Sequence, residues 1–184
     1  RVEQNKTPNL LIICPQKIIT QWWEVLENHT DFTICKYSMS SSSSKKDGLI
    51  RIFLLNTFIN KKCVVVNFEI IHKVKSIFQF VDKNWTIIVD ESHKIKNTGT
   101  AKRPVLATKS CLELGTKTPY KIILTATPTE KENGGYIDLY SQLKFLGYID
   151  YTESYFKNNF CHISKFQLPG MPFPISKIIG YKME

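Results

Sequence analysis

A chain of 184 residues, 42% of them hydrophobic, has enough apolar content for one α/β domain with a sizeable core. No apolar run approaches the ~20 residues of a membrane-spanning helix, and the start carries no signal-peptide pattern, so membrane and secretory classes are set aside. The net charge of +9 favours a polyanionic partner, although many basic proteins bind none.

Five cysteines (Cys14, Cys35, Cys63, Cys111 and Cys161) are odd in number and widely spaced, and no pair has metal-ligand spacing. The expected compartment is therefore reducing and intracellular, nucleus or cytoplasm. Cys161-His162 reads as an ordinary surface or core pair. The Lys, Asn and Ile bias points to an AT-rich genome of viral or mobile-element type.

Residues 1–9 are polar and read as a disordered or truncated lead-in. Leu10 to Cys14 is an apolar run that predicts a buried strand, and Pro15 suits the first turn of a helix. In that helix Ile18, Trp22, Val25 and Leu26 share one apolar face. For at least one of Trp22 and Trp23, core packing is the expected role. Phe32 to Lys36 is a short candidate strand. The run Ser38 to Ser44, followed by Lys45-Lys46-Asp47-Gly48, is a low-complexity loop by composition, and residues 49–60 read as a helix.

Cys63 to Asn67 predicts the next buried strand, and a helix follows through Val81, with Ile70 or Ile71, Val74, Ile77 or Phe78, and Val81 at helical spacing. Trp85 to Val89 leads a third apolar run straight into Asp90-Glu91-Ser92-His93, then Lys94, Lys96 and Asn97. Pro104 makes an uninterrupted helix over 98–114 unfavourable unless the helix begins there. A fourth run, Ile122 to Leu124, ends in Thr125-Ala126-Thr127-Pro128. Beyond Gly134-Gly135, the residues Tyr136, Leu139, Tyr140, Leu143 and Leu146 predict an amphipathic helix. Tyr151 to Phe160 predicts a shorter one whose Phe156 and Phe160 pack on the sheet. The Pro- and Gly-containing tail from Leu168 reads as a surface excursion.

The Asp90-Glu91 pair carries the chemistry. Apolar runs rich in β-branched residues read as strands buried on both faces, and acids at their carboxyl ends sit where open α/β sheets bind ligands. One carboxylate there can hold Mg²⁺ through its water shell, and the next can polarise an attacking water. The plainer alternative is that both acids cap the helix that follows. Lys94, Lys96 and Asn97 fit a nucleic-acid-facing turn and a solvated helix end equally well.

Asp90-Glu91-Ser92-His93 resembles the DExH form of the Walker B motif in superfamily 2 helicases and translocases, and Thr125-Ala126-Thr127 resembles their motif III. The strings Asp90 to Asn97 and Leu124 to Pro128, with a helix ending Leu143-Lys144-Phe145-Leu146, are most similar to the SWI/SNF-type DNA-dependent ATPases. Cys14 to Trp22 resembles motif Ia, Phe68-Glu69 resembles motif Ib, and Lys177 to Lys182 resembles the segment leaving the first lobe. One departure is that Thr129-Glu130-Lys131 replaces the apolar residue, Gln and Asn that usually follow in that branch.

The resemblance implies a RecA-like three-layer sandwich with a mostly parallel central sheet over residues 10–165, and an exit segment, 166–184, towards a second lobe. It implies ATP and Mg²⁺ as cofactors and double-stranded DNA as partner, with RNA as the other candidate. Asp90 would position Mg²⁺ through water and Glu91 would orient or deprotonate the attacking water. His93 would sense nucleotide state, and Thr125 and Thr127 would couple that site to a DNA track. Lys17, Thr20, Gln21, Lys94, Lys96 and Asn97 are the residues expected on that track. No G-x-x-x-x-G-K-[ST] phosphate loop occurs. The expectation is thus a first lobe lacking its P-loop strand, inactive alone, in a parent that hydrolyses ATP. A catalytically inactive nucleic-acid-binding or regulatory module is the competing reading. A serine hydrolase built on Ser92 and His93 is disfavoured, because no G-x-S-x-G elbow is present and adjacent helical residues point apart.

Overall fold

The apolar runs become the centre of a single parallel sheet because they can be buried on both faces. The computed structural model describes residues 7–36, 43–99, 104–129, 135–167 and 175–182. Most of the lead-in, the serine run up to residue 42, Lys102, Arg103, Glu130, Lys131, Gly134 and residues 168–174 lie outside the described residues. The strands are β1 (Asn9–Cys14), β2 (Thr33–Lys36), β3 (Lys62–Asn67), β4 (Trp85–Asp90) and β5 (Lys121–Leu124), in spatial order β2-β3-β1-β4-β5. Every pairing among them is parallel.

Side chains alternate across the sheet and divide the core in two. On one face Leu11, Ile13, Val64, Val66, Ile87 and Val89 pack with side chains from α2 (Ser43–Leu55), α3 (Lys75–Phe80), α4 (Leu106–Gly115) and α5 (Leu139–Leu146). On the other, Leu10, Ile12, Cys14, Cys63 and Val65 pack under α1 (Ile19–His29) through Ile19 and Leu26. Among the described residues, that second face carries one helix against four on the first. Ile122 and Leu124, in register with Ile88 and Asp90, are accordingly 44% and 40% exposed at the β5 edge.

Several local expectations are revised by packing. Lys45 to Gly48 is helical, because α2 starts at Ser43 and docks Ile50 and Leu54 in the core while Asp47 accepts the backbone N–H of Ser76 at 2.9 Å. The continuous helix expected through Val81 is instead a 3₁₀ turn, Ile71–Lys73, and the short α3, separated at Val74 with ψ 79°. Thr7, placed by composition in the lead-in, is buried and shares a 2.8 Å hydrogen bond with Thr86. In α5 the buried residues are Tyr140, Ser141, Gln142 and Phe145; of the expected face Tyr140 is buried and Leu146 packs partly buried against the core, but the stripe is shifted from Leu139 and Leu143 towards Ser141, Gln142 and Phe145.

Phe156 does not pack on the parallel sheet. Helix α6 (Glu153–Phe160), capped by Thr152, sets Phe156 against Tyr140, Tyr151 and Cys161, and Phe160 is 41% exposed. The tail is no simple excursion, since β6 (Cys161–Phe166) and β7 (Ile175–Tyr181) form an antiparallel pair beside that cluster.

Candidate nucleotide and nucleic-acid site

From β1 the chain crosses towards β3 and β2, whereas from β4 it runs the other way to β5. The carboxyl ends of β1 and β4 therefore flank a topological switch point, the place where open α/β sheets form a ligand crevice. Asp90 closes β4 at that crevice. Its Oδ1 accepts the Glu91 N–H at 2.8 Å, and its Oδ2 accepts the indole Nε1–H of Trp22 at 2.7 Å.

Glu91 has φ 53° and ψ 51°, the one positive-φ non-glycine residue among those described. A left-handed backbone costs an L-residue about 1–2 kcal/mol. It lets the strand turn at once into the 3₁₀ turn Ser92–Ile95, whose N-cap Glu91 makes no side-chain cap hydrogen bond. The Glu91 carboxylate is therefore not a cap of that turn, while Asp90 accepts the N–H of the cap residue itself. The Glu91 carboxylate, 40% exposed, lies 3.2 Å from His93 Nδ1, and the same nitrogen is 3.3 Å from Thr125 Oγ1. Thr125 Oγ1 also accepts the Thr127 N–H at 3.2 Å, and Thr127 itself is exposed. His93 therefore touches both the acid at the end of β4 and the hydroxyl turn after β5.

Ser92 is engaged elsewhere, with α5. It is fully buried and donates to Gln142 Oε1 at 2.7 Å, while Gln142 Nε2 donates to the carbonyls of Pro128 (2.9 Å) and Asp138 (3.0 Å). A buried hydroxyl committed to Gln142 is a poor candidate for a hydrolase nucleophile. Gln142 is the structural centre of this network. Its only sequence signal was a polar residue inside the amphipathic repeat of α5.

The remaining expected residues divide between two strand tips on the carboxyl side of the sheet. Lys17, Thr20 and Gln21 are exposed where the chain leaves β1. Lys94, Lys96 and Asn97 follow β4 and, with Phe68, Glu69 and His93, line a cleft of about 400 Å³. Lys96 Nζ is 3.9 Å from Asp138, and Asn97 Oδ1 accepts the Gly99 N–H at 2.7 Å. Asn67 at the tip of β3 donates to Gln16, and its buried Oδ1 has no partner among the described residues. Burial, reinforced by the nearby charges of Asp90 and Glu69, pushes the Cys14 thiol up to about 12, so this cysteine stays protonated beside the crevice.

Among the described residues, no three His, Cys, Asp or Glu side chains converge into a metal cage. The donor set instead fits Mg²⁺, which keeps several waters and needs only one or two carboxylates plus phosphate oxygens. Each Asp90 oxygen accepts one hydrogen bond and has lone-pair capacity left for such waters. No described helix is long and apolar enough to cross a membrane.

The family model for the SNF2-related domain matches residues 2–166. No curated protein matches the chain. Among solved structures, the Sulfolobus solfataricus SWI2/SNF2 ATPase core in complex with dsDNA is similar, with a TM-score of 0.60 and 23% identity over 86% of this chain. The chain spans 29% of that archaeal chain, and the likeness establishes the RecA-like fold. With the family model covering nearly its whole length, and the DESH and TATP turns facing each other across β4 and β5, the chain belongs to the SNF2-related domain family.

Proposed function

We propose that this chain is the part of an ATP-dependent DNA translocase lobe that holds the metal-binding acid, the water-activating acid and a section of the DNA track. The observation that carries the reading is the pairing of Asp90 and Glu91 at the β1/β4 switch point, with His93 bridging Glu91 and Thr125. Family membership and the duplex DNA bound to the archaeal ATPase core support it.

Asp90 would hold Mg²⁺ through its water shell; when bound, that ion neutralises charge on the β/γ-phosphates. Glu91 would orient the attacking water and accept its proton. Its position 3.2 Å from His93 would let the imidazole register whether that carboxylate is engaged. Thr125, hydrogen-bonded to His93 and to the Thr127 backbone, would pass the state of the acid pair to the turn after β5. Lys17, Thr20 and Gln21 at one strand tip and Lys94, Lys96 and Asn97 at the next would follow a phosphate backbone, a contact whose strength falls with salt.

Catalysis of this kind is positioning and electrostatics, and it needs a phosphate-cradling loop. We place that loop outside residues 1–184, in the same parent protein. Among the described residues no strand pairs with the outer edge of β5, and its Ile122 and Leu124 are exposed; both support this, because parallel strands are normally covered on both faces. Residues 1–184 alone should not hydrolyse ATP.

The test is ATP hydrolysis by the full-length protein with and without duplex DNA, beside Glu91→Gln and Asp90→Asn. DNA-stimulated turnover that vanishes in both variants supports the motor. A folded parent that binds DNA but turns over no ATP refutes it and leaves a nucleic-acid-binding module.

A further inference from the structure

The Asp90 carboxylate is hydrogen-bonded by a side chain outside the acid pair and the hydroxyl turn. Trp22 lies in the second turn of α1, and its ring rests against the core of Leu10, Ile12, Cys14, Ile19 and Leu26. Packing alone would be met by any aromatic ring of similar size. Yet the Nε1–H reaches across 68 positions of sequence to Asp90 Oδ2 at 2.7 Å. That is the short end of the N–H···O hydrogen-bond range.

The Glu91 N–H holds the other oxygen at 2.8 Å. Two donors, one on each oxygen, fix the rotation of the carboxylate about its terminal bond, and turning it breaks one contact or both. An indole N–H only donates, so it orients the acid without competing for a cation. The ring is in turn held by apolar contacts on a helix whose Ile19 and Leu26 are buried. The orienting contact is therefore mechanically stiff.

We propose that Trp22 is a positioning residue for the metal-binding carboxylate, its indole N–H presenting Asp90 to the Mg²⁺ water shell in one fixed orientation. This rests on the assignment of Asp90 as the Mg²⁺ acid. Partners of this kind, bonded to a metal-holding side chain, are worth about 10–100-fold in metal affinity when removed.

The experiment measures binding of a fluorescent ATP analogue to the full-length protein as Mg²⁺ is titrated, alongside binding in EDTA and the melting temperature. Two variants remove the donor. Trp22→Phe keeps an aromatic ring, and benzothienylalanine at position 22 keeps the whole bicycle with sulfur in place of N–H, which safeguards folding. The expected result is a Mg²⁺ half-saturation raised about 10-fold in both, with binding in EDTA unchanged and Val25→Ala, on the same helix, behaving as wild type. Unchanged Mg²⁺ dependence in a folded donor-deleted protein, with Asp90→Asn defective, overturns the role of Trp22 alone. If the wild-type protein shows no Mg²⁺-dependent nucleotide binding, the assignment of Asp90 fails and the role of Trp22 falls with it.

Discussion

Replacing Ser92 by Ala tests the idea that the acid turn is anchored to α5 by a buried side-chain bond and not by nucleotide chemistry. Ser92 is fully buried and Gln142 is 1% exposed, so no water can replace the lost hydroxyl without a rearrangement. The variant removes the 2.7 Å bond and leaves Gln142 Oε1 as a buried acceptor with nothing to accept. An unmet buried acceptor costs about 1–3 kcal/mol. For a chain of this size 1 kcal/mol shifts the melting temperature by roughly 2–4 °C, so a drop of about 4–8 °C is expected for a 2 kcal/mol loss. Urea denaturation and thermal melting of Ser92→Ala, Gln142→Met and the double variant form the assay. Gln142→Met should cost more than Ser92→Ala, because three hydrogen bonds disappear. The double variant should fall short of the sum by about 1 kcal/mol, the signature of two residues in one network. Ser154→Ala, exposed on α6, should stay within about 0.5 kcal/mol of wild type. A Ser92→Ala protein as stable as that control, or a strictly additive double variant, would refute the reasoning.

A Cβ at Gly115 would stand 2.9 Å from Phe145 Cδ2 and 3.0 Å from the Phe145 carbonyl oxygen, where α4 meets α5. Gly115→Ala should therefore lose about 1–3 kcal/mol through overpacking, read by chemical denaturation, and an unchanged midpoint would show the two helices yielding freely. At Glu91, with φ 53°, Asn accepts the left-handed backbone and a β-branched residue does not. Glu91→Asn should be at least as stable as wild type and Glu91→Val should be about 1–2 kcal/mol less stable than Glu91→Asn, while both abolish DNA-stimulated turnover in the parent. Equal stability of the two would show that the strain is not stored there. Burial raises the Cys111 thiol from 9.0 to about 12, so its contribution to stability is complete below pH 9 and drains away as pH climbs towards 12. Between those limits wild type should lose about 1.4 kcal/mol per pH unit more than Cys111→Ala, measured as urea midpoints from pH 8 to 10.5; parallel curves for the two proteins would contradict the buried-thiol assignment.

The strands that organise this protein were legible because their signal is local. Leu10–Cys14, Cys63–Val66 and Ile87–Val89 are apolar without alternation, the pattern of strands covered on both faces, and the structure buries them on both. The acid pair at the end of one such run and the hydroxyl turn at the end of another were legible for the same reason, as composition changes abruptly where a buried strand meets its crevice. Helix boundaries were less so. α2 extends back into a stretch that composition assigns to loop, because Asp47 binds the start of α3 and Ile50 and Leu54 gain a core to fill.

Contacts between distant residues were closed to the sequence. Nothing near Trp22 says that its indole meets a carboxylate 68 positions later, and nothing near Ser92 names Gln142, 50 positions on. Trp22 read as a core residue, and its ring does pack on the core, but the N–H is placed by the neighbouring of β1 and β4, a fact of strand order. The pairing of β6 with β7, and the diversion of Phe156 into their separate aromatic cluster, likewise depend on which surfaces remain once the main sheet is covered. The sequence by itself determined the parallel sheet and the residues at its strand tips, because burial on both faces leaves a mark on every residue of a strand. Only the tertiary structure decided which tip residues hold one another, because strand order and packing bring together side chains whose sequence separation carries no trace of the contact.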